Sequence, residues 1–233
     1  MRHALTILVS VFLAATATSA QRPRLPQPDT DEWTSAFAVE PGELVATGRN
    51  PYFVLEPGYQ LILEGGNVRL AVTVLDATRT VAGVETRVVE ERETDKGKPV
   101  EVSRNYFAIS TRTNSVFYFG EDVDIYKNGR VTSHEGGWLA GIGGARFGLA
   151  MPGEPRPQAK YYQEIAPKVA MDRAEVISVN ATVTTPAGVF TNCLETEETT
   201  PLEPGAKEAK YYARGIGLVQ DGPLKLVRHG RPK

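Results

Sequence analysis

The stretch Arg79–Thr94, RTVAGVETRVVEERET, returns without a gap as Thr184–Thr199, TTPAGVFTNCLETEET. Gly83 falls on Gly188, Val84 on Val189, Thr86 on Thr191, Glu90 on Glu195, and Glu93-Thr94 on Glu198-Thr199. At the same offset Tyr106-Phe107-Ala108 falls on Tyr211-Tyr212-Ala213. Upstream, PGYQLILE (Pro57–Glu64) matches QAKYYQE (Gln158–Glu164) more loosely. The shared offset over separate motifs points to a duplication. Its physical reading is two β-meanders of like plan, which must bury their apolar faces against each other.

The surrounding sequence agrees. In QLILEGGNVRLAVTVLDA, Val68, Leu70, Val72 and Val74 alternate at period two after a Gly65-Gly66-Asn67 turn. GVETRVVEERETDKGKPVEVSRNYFAIS reads as two strands joined at Asp95-Lys96-Gly97-Lys98. Asn128-Gly129 is a strong hairpin signal, and PLKLV after Asp221-Gly222 predicts a closing strand. Helical evidence is confined to Gln158–Ile165, which Pro157 and Pro167 bracket. The expected fold is all-β: antiparallel meanders in an internal duplication, forming an open or closed β-barrel. A two-sheet sandwich is the alternative, and either limits exposed edges. His134–Gly153, rich in glycine, is expected to be a long irregular crossing loop, a length uncommon unless functional.

The ends set the compartment. MRHALTILVSVFLAATATSA has a basic start, an apolar run and small residues ending at Ala20. This is the layout of a signal peptide over residues 1–20, and it implies export to the periplasm or the extracellular space. The apolar run is shorter than the roughly 20 residues needed to span a bilayer. No later stretch is apolar enough to span, so no transmembrane segment is expected after cleavage. Residues 21–49 read as a polar, proline-rich leader, disordered or extended to about Thr34. Residues 50–228 read as a single β domain with related halves at about 50–135 and 150–228, and 229–233 as a basic tail. A domain of this size buries roughly 70% of its unfolded surface and needs no staples. The formal charge of −2 gives no electrostatic case for nucleic acid or an anionic membrane.

Complete catalytic signatures are missing from the sequence. Cys193, the single cysteine, has no recognisable pairing with His134 or His229, so a buried core role is expected. GIGGARFG (Gly141–Gly148) has Arg146 where a dinucleotide fingerprint needs glycine. HEGGW lacks the second histidine of a zinc-peptidase helix. GEDVDIYKNGR places Tyr126 where a calcium loop needs an oxygen ligand. No Gly-x-Ser-x-Gly elbow occurs. No catalytic residue, metal or cofactor is therefore expected. In paired aromatics such as Tyr211-Tyr212, one ring faces in and one out, because strand side chains alternate.

NPYFVLEPGYQLILEG, VFYFGEDVDIYKNGRV, GGWLAGIGGARFGLAMP, TPAGVF and TPLEPGAKEAKYYARGIGLV, in this order, resemble a family of exported bacterial β-rich proteins of uncharacterised function. The likeness covers about Asn50 to Val227. The chain departs from the family pattern at Val54 and Arg214, where proline is usual, at Tyr106-Phe107, which replace a Trp-Tyr pair, and at Ile109-Ser110. The resemblance carries over no reaction and no catalytic residue.

The sequence thus predicts an exported, non-enzymatic β domain. Its expected partner is a small apolar or amphipathic ligand, or a protein of the cell envelope. The candidate ligand-binding residues are Tyr118, Glu121, Trp138, Arg146, Glu164 and Tyr211. The alternatives are a carboxylate-dependent hydrolase, using Glu121 or Asp122 with Glu164, and a structural envelope protein that associates through a strand edge.

Overall fold

The structure is a computed structural model that describes residues 32–232. The signal-peptide reading and the first part of the leader lie outside the described residues.

The chain is all-β. It begins with β1 (Leu44–Val45), β2 (Gly48–Asn50), β3 (Phe53–Leu55), β4 (Gln60–Gly65), β5 (Val68–Val81) and β6 (Val84–Asp95). It continues with β7 (Lys98–Ser110), β8 (Val116–Lys127), β9 (Arg130–Ser133), β10 (Trp138–Leu139), β11 (Arg146–Met151), β12 (Lys160–Tyr162) and β13 (Glu164–Ile165). The last strands are β14 (Arg173–Thr185), β15 (Gly188–Thr199), β16 (Lys207–Ala213), β17 (Gly217–Asp221) and β18 (Leu224–Gly230).

Thirteen of these strands form an antiparallel sheet in the order β12-β14-β15-β16-β17-β18-β4-β5-β6-β7-β8-β11-β13, with β1 added at β7 and β9 and β10 at β8, while β2 and β3 form a small second sheet. Each half is a simple meander, and β18 pairs with β4 to join the second half to the first. The two ends of the order, β12 and β13, are consecutive in the chain and separated only by Gln163. One segment therefore borders β14 on one side and β11 on the other, and the sheet is nearly closed into a barrel. Gly148 permits this closure. A Cβ there would collide with the backbone of Gln163 and Tyr162.

The duplication survives in the faces of the strands. Phe107 and Tyr212 both point into the barrel interior, and Tyr106 and Tyr211 both point out of it. The registers differ: Tyr106 sits opposite Val88, whereas Tyr211 sits opposite Glu195, the repeat counterpart of Glu90. A slip of two residues keeps every side chain on its face, because the strand period is two.

The β2–β3 hairpin closes one end of the barrel. Asn50 Nδ2 donates to the carbonyls of Asn114 (2.7 Å) and Pro152 (2.9 Å), and Gly215 N donates to Pro51 O (2.7 Å). Outside the barrel, a second apolar layer covers β5–β8. There Phe37, Val39 and Leu44 from the leader, with Trp138, Ala140 and Ala145, pack on Val88, Tyr106, Phe117 and Phe119. Buried Arg87 pins the leader in place, donating to Ala46 O (2.9 Å), Asp76 O (2.7 Å) and Thr47 Oγ1 (2.6 Å).

His134–Gly153 differs from the expected loop. Its glycines suggested irregular chain, but Arg146–Met151 pairs with β8 and becomes a barrel strand. The glycine at 148 serves close backbone approach rather than flexibility.

Candidate functional site

The interior of the barrel holds a cavity of about 330 Å³. Its wall has two characters. Toward the β2–β3 hairpin it is apolar, with Phe53, Val54, Leu61, Val74, Val89, Phe107 and Leu218. Phe53 packs on Phe107, with ring centroids 5.0 Å apart, and Phe107 stacks on Tyr118 at 4.7 Å. The remaining wall carries seven carboxyl groups, Glu91, Glu101, Glu121, Glu164, Asp172, Glu198 and Asp221, and one ammonium, Lys210.

Period-two alternation puts most of these side chains inside. Glu101, Ser103, Asn105 and Phe107 line the cavity from successive inward positions of β7. Tyr118 and Glu121 break this rule, because residues three apart on a regular strand face opposite ways. A bulge resolves it: Asn105 pairs with Glu121 but Phe107 pairs with Tyr118, so β8 carries one extra residue. Gly120 makes the bulge possible. Its φ is +143°, and a Cβ there would collide with the Trp138 carbonyl. A second bulge, between the pairs Tyr211–Gln220 and Tyr212–Leu218, brings Leu218 and Asp221 onto one wall.

Lys210 organises part of the acidic wall. Its Nζ lies 2.9 Å from Glu198 Oε2 and 3.8 Å from Asp221 Oδ2. Burial acts to lower the ammonium's pKa, but Glu198 and Asp221 outweigh it and hold the pKa well above the ordinary lysine value. Gln163 Nε2 donates to Glu198 Oε1 at 3.0 Å. Glu164 is almost fully buried, and its Oε1 accepts from the Asp172 backbone N–H at 2.9 Å. Burial pushes its pKa well above the carboxylate range, and neighbouring Asp172 adds to this. Burial also raises Glu91 and Glu121 to about 7, each pushed further by nearby acids. Glu91 and Glu101 accept no hydrogen bond from any described residue. Tyr118 Oη donates to Asn105 Oδ1 at 2.6 Å, and burial raises its phenol well above the ordinary value.

A vestibule of about 380 Å³ opens at the end of the barrel opposite the hairpin. It shares Glu91, Glu101 and Asp221 with the cavity and adds Glu93 and Glu208. Every charged group lining it is an acid.

Of the residues singled out from sequence, Tyr118, Glu121 and Glu164 meet in the cavity wall. Trp138 lies just outside it, buried in the outer layer with its ring 5.2 Å from Tyr118. Arg146 is exposed on β11, and Tyr211 faces away from the cavity, donating to Glu195 Oε1 at 3.0 Å. The inward ring of that pair is Tyr212. Asp122 points outward as well, where Arg79 Nη1 (2.6 Å) and Tyr106 Oη (2.6 Å) donate to it. Cys193 is buried in the core, and its thiol pKa is pushed up by burial. His134 is largely exposed, with Nδ1 2.9 Å from Val123 O, and neither it nor His229 lines the cavity. Sequence reading missed Glu91, Lys210, Glu198 and Asp221. Their signal was present as inward phase on strands whose apolar neighbours define the core face.

No metal-binding group of three or more His, Cys, Asp or Glu residues occurs among the described residues. Compared with family models, with curated proteins and with solved structures, the chain matches none.

Proposed function

We propose that this protein is an exported barrel that binds one small amphipathic ligand in its interior. The observation that carries the reading is the divided wall of the 330 Å³ cavity, apolar against the hairpin and acidic toward the vestibule. Ligand sites of this kind have apolar walls and a few polar groups that fix orientation. The lower bound of their usual volume is about 300 Å³, so the occupant is small.

The test is thermal unfolding with a panel of short-chain amphipaths. A ligand at about 100 times its Kd adds about 2.7 kcal/mol. For a domain of this size that raises Tm by roughly 5–10 °C. Val74→Trp, which fills the apolar half, should abolish the shift while leaving the fold intact. A panel that shifts nothing, or shifts the filled variant equally, overturns the reading.

A second reading is favoured by one observation: Glu121 and Glu164 share the cavity wall and both have raised pKa values. A carboxylate-dependent hydrolase needs such a pair. It predicts that bound esters or glycosides are cleaved, and that Glu121→Gln and Glu164→Gln each abolish cleavage. Recovery of every bound probe intact by mass spectrometry refutes it.

A further inference from the structure

The acidic half of the cavity poses a chemical question that its volume does not answer. An acidic wall repels an anionic head as it ionises, and a neutral hydroxyl offers it one donor where an ammonium brings three donors and a compensating charge. One oxygen of the cavity wall, Asp221 Oδ1, is buried and has no hydrogen-bond partner among the described residues. Buried polar groups are almost always satisfied, so an unpaired carboxylate oxygen on a cavity wall marks where a donor belongs. Lys210 is already engaged by Glu198 and Asp221, and the cavity has no other cation. The vestibule is acidic throughout, and a mouth of one sign concentrates the opposite charge.

We propose that the ligand is a primary alkylamine, bound with its ammonium against Glu91, Glu121 and Asp221 and its apolar chain against Phe107 and Val74. The head must be a primary ammonium rather than a quaternary one, because the wall calls for N–H donors. The inference rests on the reading of the barrel as an amphipath binder and specifies the class of ligand.

The experiment is calorimetric titration of the purified protein with n-octylamine, n-octanol, n-octanoate and octyltrimethylammonium. Octylamine should bind at least tenfold more tightly than octanol or octyltrimethylammonium, and octanoate more weakly than either. The double variant Glu91→Gln, Glu121→Gln should lose about tenfold in octylamine affinity with octanol unchanged. Glu91→Gln alone should weaken octylamine severalfold and also leave octanol unchanged. Equal binding of all four probes overturns the amine assignment and leaves the amphipath reading standing, as does tightest binding of octanoate or of octyltrimethylammonium. Binding of none of the four overturns both. If the double variant does not fold, Glu91→Gln alone decides: an equal loss for octylamine and octanol overturns the assignment.

Discussion

Replacing Glu121 by glutamine should stabilise the unliganded protein, and only at high pH. Burial, with Glu91, Glu101 and Asp172 nearby, raises the Glu121 pKa from 4.5 to about 7 in the fold. The folded state therefore prefers the protonated form. A raised folded pKa contributes stability that is fully present below the unfolded value, near 4.5, and is lost as pH rises through about 7. The shift spans about 2.5 units at 1.36 kcal/mol each, so ionising Glu121 inside the barrel costs about 3 kcal/mol. Glutamine has the shape of the protonated acid and never ionises. Urea denaturation at pH 9 should show Glu121→Gln more stable than wild type by about 3 kcal/mol. At pH 5 the gain should fall below about 1 kcal/mol, because wild type is then protonated in the fold. Glu91→Gln should behave alike, and the two gains should not add, since each acid raises its neighbour's cost. A gain that is the same at both pH values, or larger at pH 5, refutes the argument.

Three further outcomes follow from the packing. Lys210→Met leaves Glu198 and Asp221 buried without their cation, and urea denaturation at pH 7 should show a loss of about 3–5 kcal/mol. Gly148→Ala forces a Cβ into the backbone of Gln163 and Tyr162 where the sheet closes, and should cost about 3 kcal/mol, read as a fall in Tm. Cys193 is fully buried with its thiol pKa raised, so DTNB should label it in urea and leave it essentially unmodified in the native state.

The fold was legible in the sequence because its signals are local or repeated. The turns at Gly66-Asn67, Lys96-Gly97 and Asn128-Gly129 set the hairpins, and the Gly83 and Gly188 copies carry the duplicated plan. The inward set of the site was legible only in part. Strict alternation places Tyr118 and Glu121 on opposite faces, and only the Phe119-Gly120 bulge unites them. That bulge depends on the Trp138 backbone lying against Gly120, a contact between distant segments that no local pattern encodes. Lys210 was hidden by the density of the motif around it, where Tyr211 drew attention and the neighbouring inward positions hold the chemistry. Arg146 is exposed on β11, among glycines that serve turns and the closure of the sheet.

The acidic interior opposes the stability of the barrel at neutral pH, and this bears on why it is there. A core position filled by leucine or valine gains from burial, whereas Glu91, Glu121 and Glu164 are each penalised by it. The penalty is not spread at random. These acids share one half of one cavity, two bulges add Glu121 and Asp221 to it, and the vestibule continues the same charge outward. Structural carboxylates in a barrel wall are met by bases or backbone donors, as Glu198 is met by Lys210 and Glu164 by the Asp172 N–H. Glu91 and Glu101 accept no hydrogen bond from any described residue, and they stand where the cavity meets the vestibule. A bound ammonium would lower their pKa values and those of Glu121 and Asp221 together. The same groups that weaken the empty barrel would then strengthen the occupied one. On this account the pH-dependent gain of Glu121→Gln in the empty protein should vanish or reverse when octylamine is bound. A gain unchanged at saturating octylamine would separate the acids from the ligand altogether.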